Sequence, residues 1–268
     1  MPGAMMHDTK RALLEQKIAE RGSMLVAFSG GVDSGLLAVV ARDVLGEKAH
    51  CVFIDSPLVP GSALAEAEAM ARDFGLSFEI VRAPGLDGDF RRNPPDRCYH
   101  CKKKDAALLK TKAKERGLAV VADGINLSDT TEHRPGLAAS SEEGVVHPFI
   151  EAGMTKADIR RTARESGLPF WNKPSAACLS SRIPYGEEIT DAKLRMVESA
   201  EEFLHELGFA QTRVRCHGAI ARIEVEPAEM ERLLAERRAI VARLKETGFS
   251  YVALDLEGYR SGSMDEVL

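Results

Sequence analysis

The run Ser29-Gly30-Gly31-Val32-Asp33-Ser34 holds the residue types needed to bind a phosphate chain. Two glycines let the backbone approach an anion closely, and a helix starting beyond them aims free N–H groups and a positive dipole end at it. The two serine hydroxyls add donors, and Asp33 can hold Mg2+ between phosphate oxygens. No Gly-Lys-Ser/Thr triplet is present, so this is not a Walker loop. A plain glycine-rich turn from strand to helix is the alternative.

Cys98 and Cys101 form a Cys-x-x-Cys pair, and Cys178 lies far downstream. Three thiolates can hold three irons of a four-iron cluster and leave the fourth open to an outside ligand. A zinc site needs a fourth ligand, which neighbouring His100 can supply. A redox pair, or three unconnected thiols, are the remaining options. Cys51 and Cys216 fall in expected strands and read as core residues. Arg213 and Arg215 alternate along another expected strand, so they share a face. Paired guanidiniums suit a phosphate such as that of a mononucleotide; a solvated strand face is the alternative. His217 and Glu224 receive no role, and Trp171 reads as a partly buried loop residue.

The elements that must position these groups alternate regularly. A helix is expected around Lys10 to Arg21, then a buried strand at Met24 to Phe28 and a helix over Leu36 to Val44. Strands follow at His50 to Asp55, Ser77 to Val81 and Ala119 to Asp123, with helices at Ser62 to Asp73 and Lys102 to Arg116. Such alternation implies a mostly parallel sheet with helices on both faces, and phosphates belong at the carboxyl ends of its strands. Pro84 to Arg97 and Pro169 to Gly186 read as loops leading to the cysteines. Between them a helix from Thr155 to Glu165 opens with Thr155 and Asp158 at capping-box spacing. From Thr190 the texture changes: a capped helix to Leu207 stopped by Gly208, strands at Thr212 to Cys216 and Ile220 to Val225, helices to about Glu246, and a strand at Tyr251 to Leu254. The expected domains are residues 1–186, α/β, and residues 187–268, a smaller α+β unit.

The bulk composition narrows the function classes. The chain has 268 residues, 44% hydrophobic and 29% charged, which suits a globular enzyme of one or two domains. No apolar run reaches the roughly 20 residues of a membrane span, and Met1 to Arg11 has no apolar core of a secretory signal, so a cytoplasmic protein is expected. With 36 basic and 41 acidic side chains the net charge is −5, which speaks against a nucleic-acid partner. Five cysteines, an odd number, fit a disulfide framework poorly and a metal, cluster or catalytic role better.

The loop at Ser29 to Ser34 resembles the SGGxDS signature of PP-loop ATP pyrophosphatases, which split ATP into AMP and pyrophosphate while adenylating a substrate oxygen. The stretches Asp123-Gly-Ile-Asn-Leu-Ser-Asp129, Arg134-Pro-Gly136, Thr155-Lys156 and Lys173-Pro-Ser-Ala-Ala-Cys-Leu-Ser-Ser-Arg-Ile-Pro-Tyr-Gly186 extend the likeness over nearly the whole chain. Thr212-Arg-Val-Arg-Cys-His-Gly218 and Ala221-Arg-Ile-Glu-Val225 add to it. They are similar to LarE proteins, the ATP-dependent sulfur transferases of nickel-pincer nucleotide synthesis.

That resemblance implies a parallel-sheet, HUP-like PP-loop domain. It implies ATP and Mg2+ as ligands, with Ala27, Ser29, Gly30, Gly31, Asp33, Ser34 and Gly124 in the ATP site. Cys178 occupies the position of the family's sulfur-bearing cysteine, which some members sacrifice, becoming dehydroalanine. The additional Cys98 and Cys101 resemble the branch that holds a [4Fe-4S] cluster on three cysteines. Leu127-Ser128 stands where a second acid is common among relatives, which leaves the second metal ligand unassigned. The implied reaction adenylates a carboxylate of a pyridinium dicarboxylate mononucleotide and converts it to a thiocarboxylate, in a homo-oligomer. Two rivals differ in class: a PP-loop tRNA thiolase, which needs a basic groove for RNA, and a non-catalytic nucleotide or metal sensor.

Overall fold

The structure, a computed structural model, describes residues 2–131, 135–174, 177–260 and 262–267. Arg134 and Ser175-Ala176, counted above in two motifs, lie outside the described residues. The chain forms two compact units, one of residues 1–56, 61–84 and 96–175, the other of residues 57–60, 85–95 and 176–268. The expected boundary at residue 186 falls inside the second unit. No helix of the described residues is long and apolar enough to cross a membrane.

The first unit opens with helix α1 (Pro2–Arg21), strand β1 (Met24–Ala27) and helix α2 (Val32–Leu45). It continues through β2 (Ala49–Asp55), α3 (Gly61–Asp73) and β3 (Phe78–Arg82). After the segment that carries α4 (Gly88–Arg91), which belongs to the second unit, come α5 (Arg97–Glu115) and β4 (Val120–Ala122). Helices α6 (Pro135–Glu142), α7 (Pro148–Glu151) and α8 (Lys156–Glu165) complete it.

The four strands run parallel in the order β3-β2-β1-β4. Met24 to Val26 are fully buried, as are most side chains of β2, because helices cover the sheet. Leu25, Val52 and Val121 pack with Ala106, Leu109 and Ala113 of α5. By strand alternation Met24 and Val26 face the other way, toward α2, which in turn packs on α1 and α8.

The chain adds strands on one side of β1 as far as β3 and then places β4 on the other side. The order therefore reverses between β1 and β4, and a crevice opens beyond their carboxyl ends, where open α/β sheets bind ligands. Val26 and Ala122 are register partners there, so Ser29 and Asp123 leave the sheet side by side.

In the second unit α9 (Asp191–Glu206) starts on Thr190, whose hydroxyl accepts from the Lys193 N–H at 3.2 Å. It stops before Gly208, which turns the chain at φ +87°. Strands β5 (Thr212–His217) and β6 (Ile220–Val225) form an antiparallel hairpin. Helices α10 (Met230–Ala235) and α11 (Arg237–Glu246) lead to β7 (Tyr251–Leu254), parallel to β6.

The stretch expected as a loop from Pro84 is more ordered than its prolines suggest. It carries α4, and fully buried Asn93 donates to the carbonyls of Ile183 (3.2 Å) and Pro184 (2.7 Å). Asn93 holds φ +57°, a left-handed conformation that asparagine tolerates better than most residues.

Helix α8 begins with a complete capping box. The Thr155 hydroxyl accepts from the Asp158 N–H, and the Asp158 carboxylate accepts from the Thr155 N–H at 3.0 Å. Asp158 also binds Lys10 of α1 and Arg161, both at 2.7 Å. Burial pushes its carboxyl up, but Lys10 and the Thr155 groups outweigh that and hold it well below the usual aspartate range. Replacing Asp158 with Ala should cost about 1–2 kcal/mol of stability near neutral pH, read by urea unfolding. A depressed folded pKa stabilises above the unfolded value of about 3.9 and loses that contribution as pH falls through the folded value. The gap between wild type and Asp158→Ala should therefore close in acid below about pH 3.9.

Candidate active site

The turn from β1 into α2 sits in the crevice. Gly30 adopts φ +69° and lies so close to α3 that a Cβ there would stand 3.1 Å from the Ala67 Cβ. Only glycine meets both demands without displacing α3. Gly31 caps α2 in an extended conformation, and no side chain caps the helix. The first N–H groups of α2 thus take no side-chain cap, an arrangement that suits an anion. Ser34, buried, holds the turn together: its hydroxyl lies 3.1 Å from the Ser29 hydroxyl and accepts from the Ser29 N–H at 3.2 Å. Ala27 ends β1 just before it.

Asp33 projects from the first turn of α2. Burial pushes its carboxyl above the ordinary aspartate value, against an opposing pull from Lys156. The Lys156 ammonium donates to both Asp33 oxygens, at 2.6 and 2.5 Å. On the opposite flank Lys173 donates to the Gly30 carbonyl at 2.8 Å and pairs with Glu66. Two cations therefore border one glycine-rich turn.

The segment after β4 closes the crevice. A Cβ on Gly124 would stand 2.9 Å from the Ser34 nitrogen and 3.0 Å from the Asp33 carbonyl carbon, so this backbone lies directly on the first turn of α2. Asp123 is buried and holds the turn by accepting from the Ile125 N–H at 3.1 Å. Its Oδ1 also lies 2.7 Å from His147 Nδ1, and His147 Nε2 lies 3.1 Å from the Ser141 hydroxyl. His147 reaches this position because Val146 bridges in parallel to Ala122. Ser128 extends the contact by accepting from the Lys156 N–H at 3.1 Å. Pairwise spacing along the chain carries no sign of Lys156, Lys173 or His147 at the loop. Thr155-Lys156 and Lys173 stand in the family-like stretches, but only folding reveals their partners.

The cysteines divide by environment. Cys51 is buried in β2 and Cys216 in β5, and burial pushes both thiols up, Cys51 to about 12. Cys98 and Cys178 are exposed and Cys101 is half-buried, and none of the five forms a disulfide. Because α5 begins at Arg97, earlier than expected, Cys98 and Cys101 both fall at its amino-terminal end, one turn apart. The Cys101 thiol lies 3.9 Å from the Asp105 carboxylate, and His100 lies 3.0 Å from Asp96. Among the described residues no group of three or more His, Cys, Asp or Glu side chains gathers as a metal site. The structure thus brings Cys98 and Cys101 together within the first unit, whereas Cys178 belongs to the second.

In the second unit Cys178 opens a 3-10 turn over Leu179–Arg182, and its sulfur lies 2.9 Å from the Ser180 hydroxyl. Arg182 anchors that turn. It donates to the carbonyls of Ala177 (2.9 Å) and Cys178 (3.1 Å) and forms a buried two-point pair with Glu201 of α9, both bonds 2.8 Å. Glu201 accepts in addition from the Val214 N–H of β5 at 2.9 Å.

Arg213 and Arg215 are only 6% and 5% exposed, which rules out a solvated strand face. Arg215 binds Glu224 at 2.7 Å, Ser263 at 3.1 Å and the Ser181 carbonyl at 3.1 Å. Arg213 stacks over Tyr259 at 5.2 Å, and burial together with neighbouring Arg182 lowers its pKa. Glu224, unassigned from sequence, is the fully buried counter-charge to Arg215 and Arg222.

No protein-family model matches the chain. Known proteins do. An uncharacterized protein of Synechocystis sp. is 40% identical over 266 residues, spanning 98% of this chain and 99% of its own length. The pyridinium-3,5-bisthiocarboxylic acid mononucleotide synthase of Lactiplantibacillus plantarum is 38% identical over 262 residues, 97% of this chain and 95% of the synthase. An uncharacterized protein of Methanocaldococcus jannaschii is 32% identical over 249 residues, covering 92% and 94%.

The glycine contact yields a direct test. Gly124→Ala forces the backbone of Asp33 and Ser34 away from the segment after β4, because neither backbone atom can rotate aside. Overpacking of this kind costs roughly 1–3 kcal/mol. The variant should melt lower than wild type by differential scanning calorimetry and should bind ATP more weakly by calorimetric titration.

Proposed function

Because the chain belongs to the LarE family, as does the pyridinium-3,5-bisthiocarboxylic acid mononucleotide synthase it matches along nearly its full length, we propose that it makes a thiocarboxylate from a pyridinium dicarboxylate mononucleotide at the expense of ATP, for nickel-pincer cofactor synthesis. That end-to-end match is the observation that carries the reading. The chain is accordingly an ATP-dependent sulfur-transferring enzyme of the PP-loop superfamily.

In this reading the phosphates of ATP lie against the free N–H groups at the start of α2, cradled by Ser29, Gly30, Gly31 and Ser34, with Ala27 and Gly124 at the edges. Asp33, a carboxylate at the same turn, fits Mg2+ chemically and would hold it against phosphate oxygens. A substrate carboxylate oxygen attacks the α-phosphorus and pyrophosphate departs with the electrons of the broken P–O bond. The acyl-adenylate carbon is then open to a sulfur nucleophile, which expels AMP. Activation has to come first, because a carboxylate oxygen is a very poor leaving group.

Three cysteines have solvent access and two do not, and the accessible ones are Cys98, Cys101 and Cys178. Cysteine thiolates are the ligands of a [4Fe-4S] cluster, so these three would hold it, and it would supply an open iron for sulfide. Arg213 and Arg215 would bind the substrate phosphate, and Glu224 would limit the charge that Arg215 presents. The substrate is a small molecule, and the working form is a homo-oligomer without nucleic-acid or membrane partners.

The test is anaerobic preparation followed by iron, acid-labile sulfide and thiolation assays. Cys→Ala at 98, 101 or 178 should each lose most of the iron and nearly all thiolation while sparing ATP binding. Loss of activity with Cys178→Ala alone, and dehydroalanine at position 178 by mass spectrometry, would instead assign the sulfur to that side chain. Dehydroalanine arises by loss of sulfur, whereas every step of cysteine oxidation adds oxygen. Separately, Arg213→Ala should raise the mononucleotide KM roughly tenfold to a hundredfold, the cost of a charge-assisted hydrogen bond. The ATP KM should change little in steady-state assays.

A further inference from the structure

The Lys156–Asp33 pair poses a conflict once a phosphate chain and its metal arrive. A divalent cation on Asp33 and an ammonium bonded to both of its oxygens compete for one carboxylate, because like charges close together repel in a partly desolvated site.

Lys156 is built to move, whereas its neighbours are not. Its backbone is held at the first position of α8, by the Thr155–Asp158 capping box and by the bond to Ser128. Its side chain, 34% exposed, is a flexible stem that gives both hydrogen bonds of its ammonium to Asp33. Arg160, one turn further along α8, also acts on the Asp33 charge, but it is tied to Asn172 and the Lys173 carbonyl. Lys173 is tied to the Gly30 carbonyl and Glu66. Asp129, the other charge that acts on Asp33, is negative and repels it. In the ATP reading the phosphate chain would lie at the start of α2, the same helical turn that carries Asp33, which Lys156 already reaches.

We propose that Lys156 is an exchangeable counter-ion: it neutralises Asp33 in the nucleotide-free protein, then yields Asp33 to the metal and transfers its ammonium to the departing pyrophosphate oxygens. This inference rests on the ATP reading above and adds a catalytic residue to it. In the free protein the pair spares Asp33 an uncompensated buried charge and keeps stray cations off it. In the reaction the ammonium meets the negative charge that develops as the bond between the α-phosphorus and pyrophosphate breaks. No proton transfer is required, since the ammonium remains charged throughout.

The test uses nucleotide-free protein and two probes: Mn2+ alone, followed by electron paramagnetic resonance, and inorganic pyrophosphate with Mg2+, followed by calorimetry. Removing a competing cation should let Lys156→Met bind Mn2+ at least about tenfold more tightly than wild type. The same variant should bind pyrophosphate at least about tenfold more weakly. Adding Asp33→Asn to Lys156→Met should erase the gain in Mn2+ affinity, placing it at that carboxylate. Lys156→Gln, a polar replacement at an already half-exposed position, takes the same measurements if the Met variant does not fold. Unchanged or weaker Mn2+ binding, or unchanged pyrophosphate binding, in a wild type that does bind ATP would overturn the role of Lys156 alone. A wild type that binds neither ATP nor pyrophosphate would overturn the nucleotide reading and this inference with it.

Discussion

The close approach of two backbones, the segment after β4 at Gly124 and the first turn of α2 at Asp33 and Ser34, is the contact on which the first unit's chemistry depends. It requires β4 to pair with β1 on the side opposite β2, and it leaves no room for a side chain at residue 124. The contact seals one wall of the crevice with backbone. The other walls are Gly30, pressed on Ala67 of α3, and the amino-terminal end of α8. In the proposed reading a phosphate chain entering this space would meet backbone N–H groups already in place.

Charge balance around that crevice rests on a fixed helix end and one long side chain. The backbone of α8 is pinned by its capping box and by Ser128, and Asp158 further ties it to α1 through Lys10. Rigid placement of the helix end is what lets a long lysine side chain reach Asp33 dependably. Without that cation a partly buried carboxylate would bind a proton more readily, since desolvation already raises its pKa.

The second unit solves a different problem, holding an exposed cysteine on a short turn. The Arg182–Glu201 pair is buried, and Arg182 also takes up the carbonyls of Ala177 and Cys178 while Glu201 takes up the Val214 N–H. A buried pair of this kind adds little net stability when compared with apolar packing, but losing one partner strands the other charge. Its value here is positional, because every remaining hydrogen bond of the pair fixes either the turn or strand β5. Arg215 and Glu224 repeat the arrangement within the same small sheet.

Much of this was written in local patterns. Short apolar runs located the seven strands of the described residues to within a residue or two, and Thr155, Thr190 and Gly208 marked helix ends because caps and left-handed turns depend on neighbours close in the chain. The glycine-rich turn after β1 was recognisable for the same reason. Local pattern failed where the partner is distant. Prolines hid the ordered segment around Asn93, whose side-chain bonds go to residues 183 and 184, and alternation along β5 could not tell a buried arginine pair from a solvated one. The sequence alone determined the order of the elements and the glycine-rich turn between β1 and α2, because both are written in neighbours along the chain. Tertiary structure alone decided that Lys156 faces Asp33, that Gly124 lies on Ser34 and that Glu224 neutralises Arg215, because charge pairing and close packing depend on distances in space that no spacing along the chain encodes.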